Sequence, residues 1–168
     1  YKDISDVYEK KRDFPKAIEA YKNYLDEMKS SPDISDLFLY GRLNYYAATD
    51  SAYQDKQPTY LAEADTIFAQ VAVKVPDNYL GNFWRARVNS LRDPETTQGL
   101  AKPYYEAALS ILEQKPDATK SVLVECNSYL GYYYFVKEDY NQSKQYWNKI
   151  LEIDPENETA TKALGGIK

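Results

Sequence analysis

The 168-residue chain has no histidine and one cysteine, Cys126. Without an imidazole there is no Ser-His or Cys-His nucleophile pair, and the usual nitrogen ligand of a zinc site is missing. The six glycines stand at positions of helix contact and at the C-terminus, and none of them builds a phosphate loop. The 26 Asp and Glu residues leave a carboxylate pair as the remaining acid–base arrangement, but with so many carboxylates almost any fold brings some together. Cys126 reads as an inert, partly buried thiol rather than a reactive one. Asp154-Pro155-Glu156-Asn157 lacks the ligand spacing and the glycine of a calcium loop. Asn141-Gln142-Ser143 and Asn157-Glu158-Thr159 match a glycosylation sequon, which has meaning only in a eukaryotic secretory context. These residues imply no catalytic group, no metal and no cofactor.

Charge narrows the partners. A formal net charge of −5 and a pI near 4.9 argue against nucleic acid or an anionic membrane, both of which reward a basic surface. No apolar run approaches the roughly 20 residues that span a bilayer. A single cysteine excludes neither a reducing nor an oxidising compartment. The chain starts at Tyr1 rather than Met, so its start is silent about targeting, and an upstream segment is expected. Eighteen tyrosines are the compositional anomaly. A tyrosine packs its ring while keeping a polar tip wet, which suits thin helical layers.

The elements that must position these side chains show best in Tyr129–Pro155, YLGYYYFVKEDYNQSKQYWNKILEIDP. Leu130, Tyr134 and Lys137 lie one helical turn apart. After Glu138 and Asp139, the residues Tyr140, Ser143, Trp147, Ile150 and Leu151 share one helix face. The pattern predicts two helices folded back on each other, with Gly131 and Ser143 letting the backbones approach and the rings of Tyr134 and Trp147 filling the space beside them. In order and spacing, Asn127, Leu130, Gly131, Tyr134, Tyr140, Ser143, Trp147, Ile150, Leu151 and Pro155 resemble the tetratricopeptide repeat. Asn127 stands where the family has a large residue and Ser143 where it has Ala, so this pair is expected to open slightly at its entry.

The same outline recurs upstream. Tyr1, Ile4, Ser5 and Tyr8, then Asp13, Phe14, Ala17, Tyr21, Tyr24 and Leu25, form a first unit closed by Pro32. Asp33 is read as an N-cap of the second, with Leu37, Tyr40, Gly41, Tyr45 one place late, then Ala64, Phe68 and Ala72 before Pro76. The third has Leu80, Gly81 and Trp84, then Ala101, Tyr105, Ala108 and Leu109 before Pro116, with Pro103 in a first turn. The closing prolines lie 44, 40 and 39 residues apart, against a family period of about 34. The excess falls in two long connections: Asp50–Tyr60, read as a helix extension followed by a loop holding Gln57 and Pro58, and Arg92–Gly99. Helices are predicted near 1–11, 14–29, 34–52, 58–74, 77–91, 97–114, 118–136, 140–153 and 157–164, the last ended by Gly165 and Gly166. The resemblance implies an all-α fold, a right-handed superhelical array of antiparallel helix pairs. Its units run about 1–32, 33–76, 77–116 and 117–155, with a closing helix over 156–164.

In this family the first helix of each pair lines the concave face. The resemblance therefore implies a groove that includes Phe38, Arg42, Tyr45 and Tyr46, then Asn78, Asn82 and Arg85, then Ser128, Tyr132 and Phe135. Rings would hold apolar side chains, amides a peptide backbone, and guanidinium groups a carboxylate. An arginine there can equally pair with a nearby glutamate. Lys2, Asp6, Leu39, Val75 and Tyr79 occupy the positions of the family's clamp for acidic chaperone tails, and only Lys2 agrees, which argues against that ligand. The expected function is a non-catalytic scaffold that binds a protein or peptide. The alternatives are an oligomerisation or docking module of a larger protein and, last, a hydrolase with a carboxylate site in the groove. Similar arrays with long connections are frequent in exported bacterial proteins, which leans towards the periplasm or cell envelope. The bound partner and the oligomeric state stay open.

Overall fold

Asp33 starts its helix by accepting the backbone N–H of Asp36 at 2.8 Å, one of the donors a helix N-terminus leaves without an internal partner. Asp13, Asp139 and Asn157 do the same for Lys16, Gln142 and Ala160. Pro15, Pro58 and Pro103 sit in first turns, where a missing N–H costs little. The computed structural model describes residues 1–28 and 30–167, and among them the regular elements are all helical. They fall into two compact units, Tyr1–Pro76 and Asp77–Lys168, divided at one of the closing prolines.

The first unit contains α1 (Lys2–Lys10), α2 (Phe14–Glu27), α3 (Ile34–Thr49), a 3-10 stretch (Ser51–Lys56) and α4 (Gln57–Lys74). Each helix packs on the next. Its core joins Ala17 and Tyr21 of α2 to Leu37, Tyr40 and Leu43 of α3 and to Ile67 and Val71 of α4. The second unit contains α5 (Leu80–Arg92), α6 (Lys102–Leu112), α7 (Lys120–Val136), α8 (Tyr140–Ile153) and α9 (Glu158–Gly166), again packed in succession. Trp147 and Ile150 of α8 meet Ala160 of α9 and Ile167 there.

Small residues set the helix-pair contacts. A Cβ built on Gly41 would lie 2.8 Å from the Phe68 ring, and one on Gly131 would lie 2.8 Å from Trp147. Both approaches are closer than a packed interior tolerates. At the entry where Asn127 and Ser143 are expected to open the pair, a cavity of about 270 Å³ borders Asn127 between α7 and α8, while the contact at Ser143 is closed. Asn127 is buried and donates to the Leu123 carbonyl, and buried Ser143 donates to the Gly131 carbonyl at 2.8 Å. The α1–α2 and α7–α8 turns are alike. Arg12 and Glu138 take φ of 57° and 61°, and the next residue's N–H closes on Tyr8 or Tyr134.

Several element ends differ from the sequence-based expectation, each for a local reason. The helix expected over 34–52 stops at Thr49, because Asp50 turns to an extended conformation and accepts the N–H of Ala52. Its extension and the Gln57-Pro58 loop are replaced by the 3-10 stretch and the start of α4. α5 begins at Leu80 rather than near 77, since Asn78 Oδ1 takes the Leu80 N–H at 2.9 Å. α6 begins at Lys102 rather than near 97, because Asp93 gathers the N–H groups of Gln98, Gly99 and Leu100. Gly165 and Gly166 lie inside α9, which ends at the extended, buried Ile167. In α3 it is Asn44, not Tyr45, that turns into the core. The expected end of α2 at Lys29 lies outside the described residues, and α2 ends at Glu27.

Candidate functional site

In the first unit α3 carries Phe38, Arg42, Tyr45 and Tyr46 three and four residues apart, which puts them on one flank of the helix. Phe38 sets its ring edge-on to Phe68 of α4 at 5.9 Å, and Tyr45 and Tyr46 meet at 5.9 Å. The Arg42 guanidinium lies 5.3 Å from the Tyr46 ring centre, with Nη2 4.0 Å from Glu9 Oε1 of α1. Its Nε is buried with no hydrogen-bond acceptor. The glutamate is thus a loose neighbour that leaves this donor unsatisfied.

In the second unit the predicted residues divide by role. Asn78 is occupied at the entry to α5. Asn82 stands half-buried on α5, and Ser128 half-buried on α7. Arg85 lies 4.2 Å above the Tyr104 ring and donates to that tyrosine's hydroxyl at 3.0 Å. Tyr132 and Phe135 remain 43% and 42% exposed on α7, a large apolar surface left open in a chain that leaves few of its rings so exposed. Phe135 also meets Tyr140 of α8 at 5.8 Å. Both border a cavity of about 250 Å³ together with Trp147 of α8, Ala163 and Gly166 of α9, and Ile167, while Lys162 also borders it.

Two carboxylate hubs and two loop anchors escape sequence reasoning. Asp36 of α3 accepts from Lys2 of α1 at 3.1 Å and from Tyr21 and Tyr24 of α2 at 3.2 and 3.3 Å. Glu125 of α7 accepts both arms of the Arg87 fork from α5, at 2.8 and 2.6 Å, and the Tyr105 hydroxyl of α6 at 3.1 Å. In each hub a first helix reaches its successor through a cation, and the helix between them through a tyrosine. Burial raises the Asp36 carboxyl, but Lys2 and the two tyrosines outweigh it and hold it below the ordinary range. Burial, then the facing carboxylate, pushes the Tyr21 and Tyr105 hydroxyls up. Asp50 and Asp93, the residues that end α3 and α5, organise the two long connections. Asp50 accepts the Ala52 N–H and the Arg12 guanidinium, and Asp93 accepts three loop N–H groups and Thr97 Oγ1. Recurrence of Tyr21 and Tyr105 four residues after Ala17 and Ala101 was the available signal. Their acceptors stand at unequal distances before Gly41 and Gly131, which hid the hubs.

Lys2, the one residue agreeing with the chaperone-tail clamp, is held by Asp36. α9 also repeats the Leu-Gly pair of the first helices, as Leu164-Gly165.

No protein-family model matches the chain, and no curated protein matches it. Among solved structures it is similar to the C-terminal part of a TPR repeat-containing protein from Cytophaga hutchinsonii. The TM-score is 0.84 and the identity 32%, over 98% of this chain and 58% of that one. It thus spans 58% of that structure's length. MamA matches with a TM-score of 0.68 and 19% identity, over 98% of this chain and 82% of that one, a likeness of fold alone. With its packed helix pairs, its Gly–ring contacts at Gly41 and Gly131 and this similarity, the chain belongs to the tetratricopeptide-repeat family.

Proposed function

We propose that the chain is a non-catalytic scaffold that binds a protein or peptide along the exposed flanks of its first helices. The observation that carries this reading is Arg42. Its side chain is about one-third exposed, Glu9 approaches its Nη2 only to 4.0 Å and Tyr46 flanks its guanidinium, so an incoming carboxylate would pair with the open end of the guanidinium and cover an aromatic surface at once. Helices hold these groups before the partner arrives, which lowers the ordering cost of capturing a flexible chain. The aspartates whose pKa values move, Asp13, Asp36, Asp50 and Asp93, all move down. That is away from the raised value a general acid needs, and it weighs against the hydrolase reading.

A second reading, a docking module of a larger assembly, is favoured by α1 and its cap residue, where Tyr1, Ile4 and Val7 are 52%, 49% and 49% exposed. Immobilised protein would be used to capture partners from a lysate of its native organism, beside the variant carrying Arg42→Ala and Tyr45→Ala. Scaffold binding predicts loss of the captured species in the double variant. Undiminished capture would overturn the assignment of this face, and loss only on changing Ile4 and Val7 to Ser would favour docking.

A further inference from the structure

The cavity beside Trp147 has a structural history within the repeat. In α3 and α7 a large side chain one or two places before the glycine of the first helix covers the aromatic residue of the preceding second helix. Tyr40, one before Gly41, stacks on Tyr21 with ring centres 5.9 Å apart, and Leu39, two before, packs on the same cluster. Tyr129, two before Gly131, lies over Tyr105 with ring centres 4.7 Å apart. Tyr21, Tyr105 and Trp147 all stand four residues after the small residue of their second helix. In α9 the glycine is Gly165; Leu164 before it and Ala163 two places before it pack on the Trp147 cluster, and neither is a ring. The ring that would lie on Trp147 is absent, and a cavity of about 250 Å³ opens there.

We propose that this cavity receives one aromatic side chain of a partner polypeptide, which takes on Trp147 the place that Tyr129 takes on Tyr105. The inference rests on the scaffold reading. Size argues for a side chain, since sites for whole small ligands span roughly 300–1,000 Å³. The lining argues for a neutral ring: Trp147 and Ile167 are buried, Tyr132 and Phe135 offer exposed ring faces, and Ala163 and Gly166 contribute almost nothing polar. Lys162 is already paired with Glu158 at 3.0 Å, so no unpaired charge asks for a counter-ion. Ring on ring in offset or edge contact adds specificity to the area covered. Because Tyr132 and Phe135 are positions of the interaction flank, a peptide running along α7 would reach the cavity without leaving it.

The test reads the cavity directly. The indole N–H signal of Trp147 is followed by NMR while capped glycyl-phenylalanyl-glycine is added, with the alanyl peptide and free p-cresol as controls. The phenylalanyl peptide is expected to shift this signal with millimolar affinity, and the alanyl peptide to leave it in place. Ala163→Tyr, which supplies the missing ring from the chain itself, should weaken binding at least tenfold. Gly166→Leu, whose new Cβ meets nothing within 4 Å, should do the same and serves if the first variant does not fold. No shift with the phenylalanyl peptide, an equal shift with the alanyl peptide, or unchanged binding in a folded filled variant overturns the proposal. Binding of p-cresol as tight as the peptide's would reassign the cavity to a small free aromatic molecule. Lysate capture that depends on Arg42 and Tyr45 lies in the other unit, so it can survive failure here and leave the scaffold reading standing.

Discussion

Ser5 of α1 donates its hydroxyl to the carbonyl oxygen of Ala17 in α2 at 2.8 Å, and Ser143 of α8 donates to Gly131 of α7 at the same distance with the direction reversed. Each pair brings together a first-helix glycine position and a second-helix alanine position. A serine on either side of the contact therefore makes the same bridge. Replacing either by Ala removes one buried hydrogen bond whose acceptor is a helix carbonyl with a second lone pair already engaged, so a loss of about 1 kcal/mol is expected in urea unfolding. A loss several times larger would mean that the hydroxyl also sets the helix spacing.

Gly41 and Gly131 face rigid rings. Adding one methyl group drives it into Phe68 or Trp147, and the fully buried Phe68 cannot retreat without displacing its neighbours. Gly→Ala at either site should cost about 1–3 kcal/mol as overpacking, although the exchange improves helix propensity. A stabilised Gly131→Ala would show that Trp147 has room to move towards the cavity beside it.

Arg87 and Glu125 form the two-pronged ion pair that ties α5 to α7, and both side chains are about one-third exposed. Solvent screening limits their direct coupling to on the order of 1 kcal/mol in a double-mutant cycle, declining with added salt. Glu125→Ala should nevertheless cost more than Arg87→Ala, because it also takes the acceptor from the buried Tyr105 hydroxyl. Combining Tyr105→Phe with Glu125→Ala should recover part of that excess.

What was legible in the sequence was whatever depends on side-chain size at helical spacing. Gly131 against Trp147 is such a contact, and the cap at Asp33 was legible from its residue type. The long connections were not legible. Asp50 and Asp93 end their helices by collecting backbone N–H groups from residues as far ahead as Leu100, and such loop closure leaves no periodic trace. Among the candidate residues, Arg42 lies beside the Tyr46 ring, whereas Asn78 is occupied by the turn it builds. The cavity was hidden for another reason. It arises from what Ala163 lacks, and an absent ring shows only when α9 is aligned as a first helix through Leu164-Gly165.

Cys126 is fully buried on α7, and burial, with Glu125 adding to it, pushes its thiol up to about 12. At neutral pH the thiolate is a negligible fraction, so iodoacetamide should not label the native chain and should label it rapidly in urea. Labelling in the native state would report local opening of α7 and would measure its free energy.

Asp36 and Asp93 set the acid limb of stability. For both, burial raises the carboxyl, and donors outweigh it: Lys2 with Tyr21 and Tyr24 for Asp36, and the N–H groups of Gln98, Gly99 and Leu100 for Asp93. A carboxyl whose folded pKa lies below its unfolded value contributes stability above the unfolded value, near 4, and loses it as pH falls from there through the folded value. The melting temperature should therefore decline below about pH 4. Asp93→Asn keeps the shape but offers the loop N–H groups a weaker, neutral acceptor, so it should cost about 2 kcal/mol at neutral pH and flatten the acid decline. At high pH the sign follows the tyrosines. Tyr21 and Tyr105 are pushed up, so their contribution is complete below the unfolded value near 10 and disappears above it. An Asp93→Asn variant that melts with the parent's acid slope would show that the loop N–H groups around residue 93 do not hold its charge.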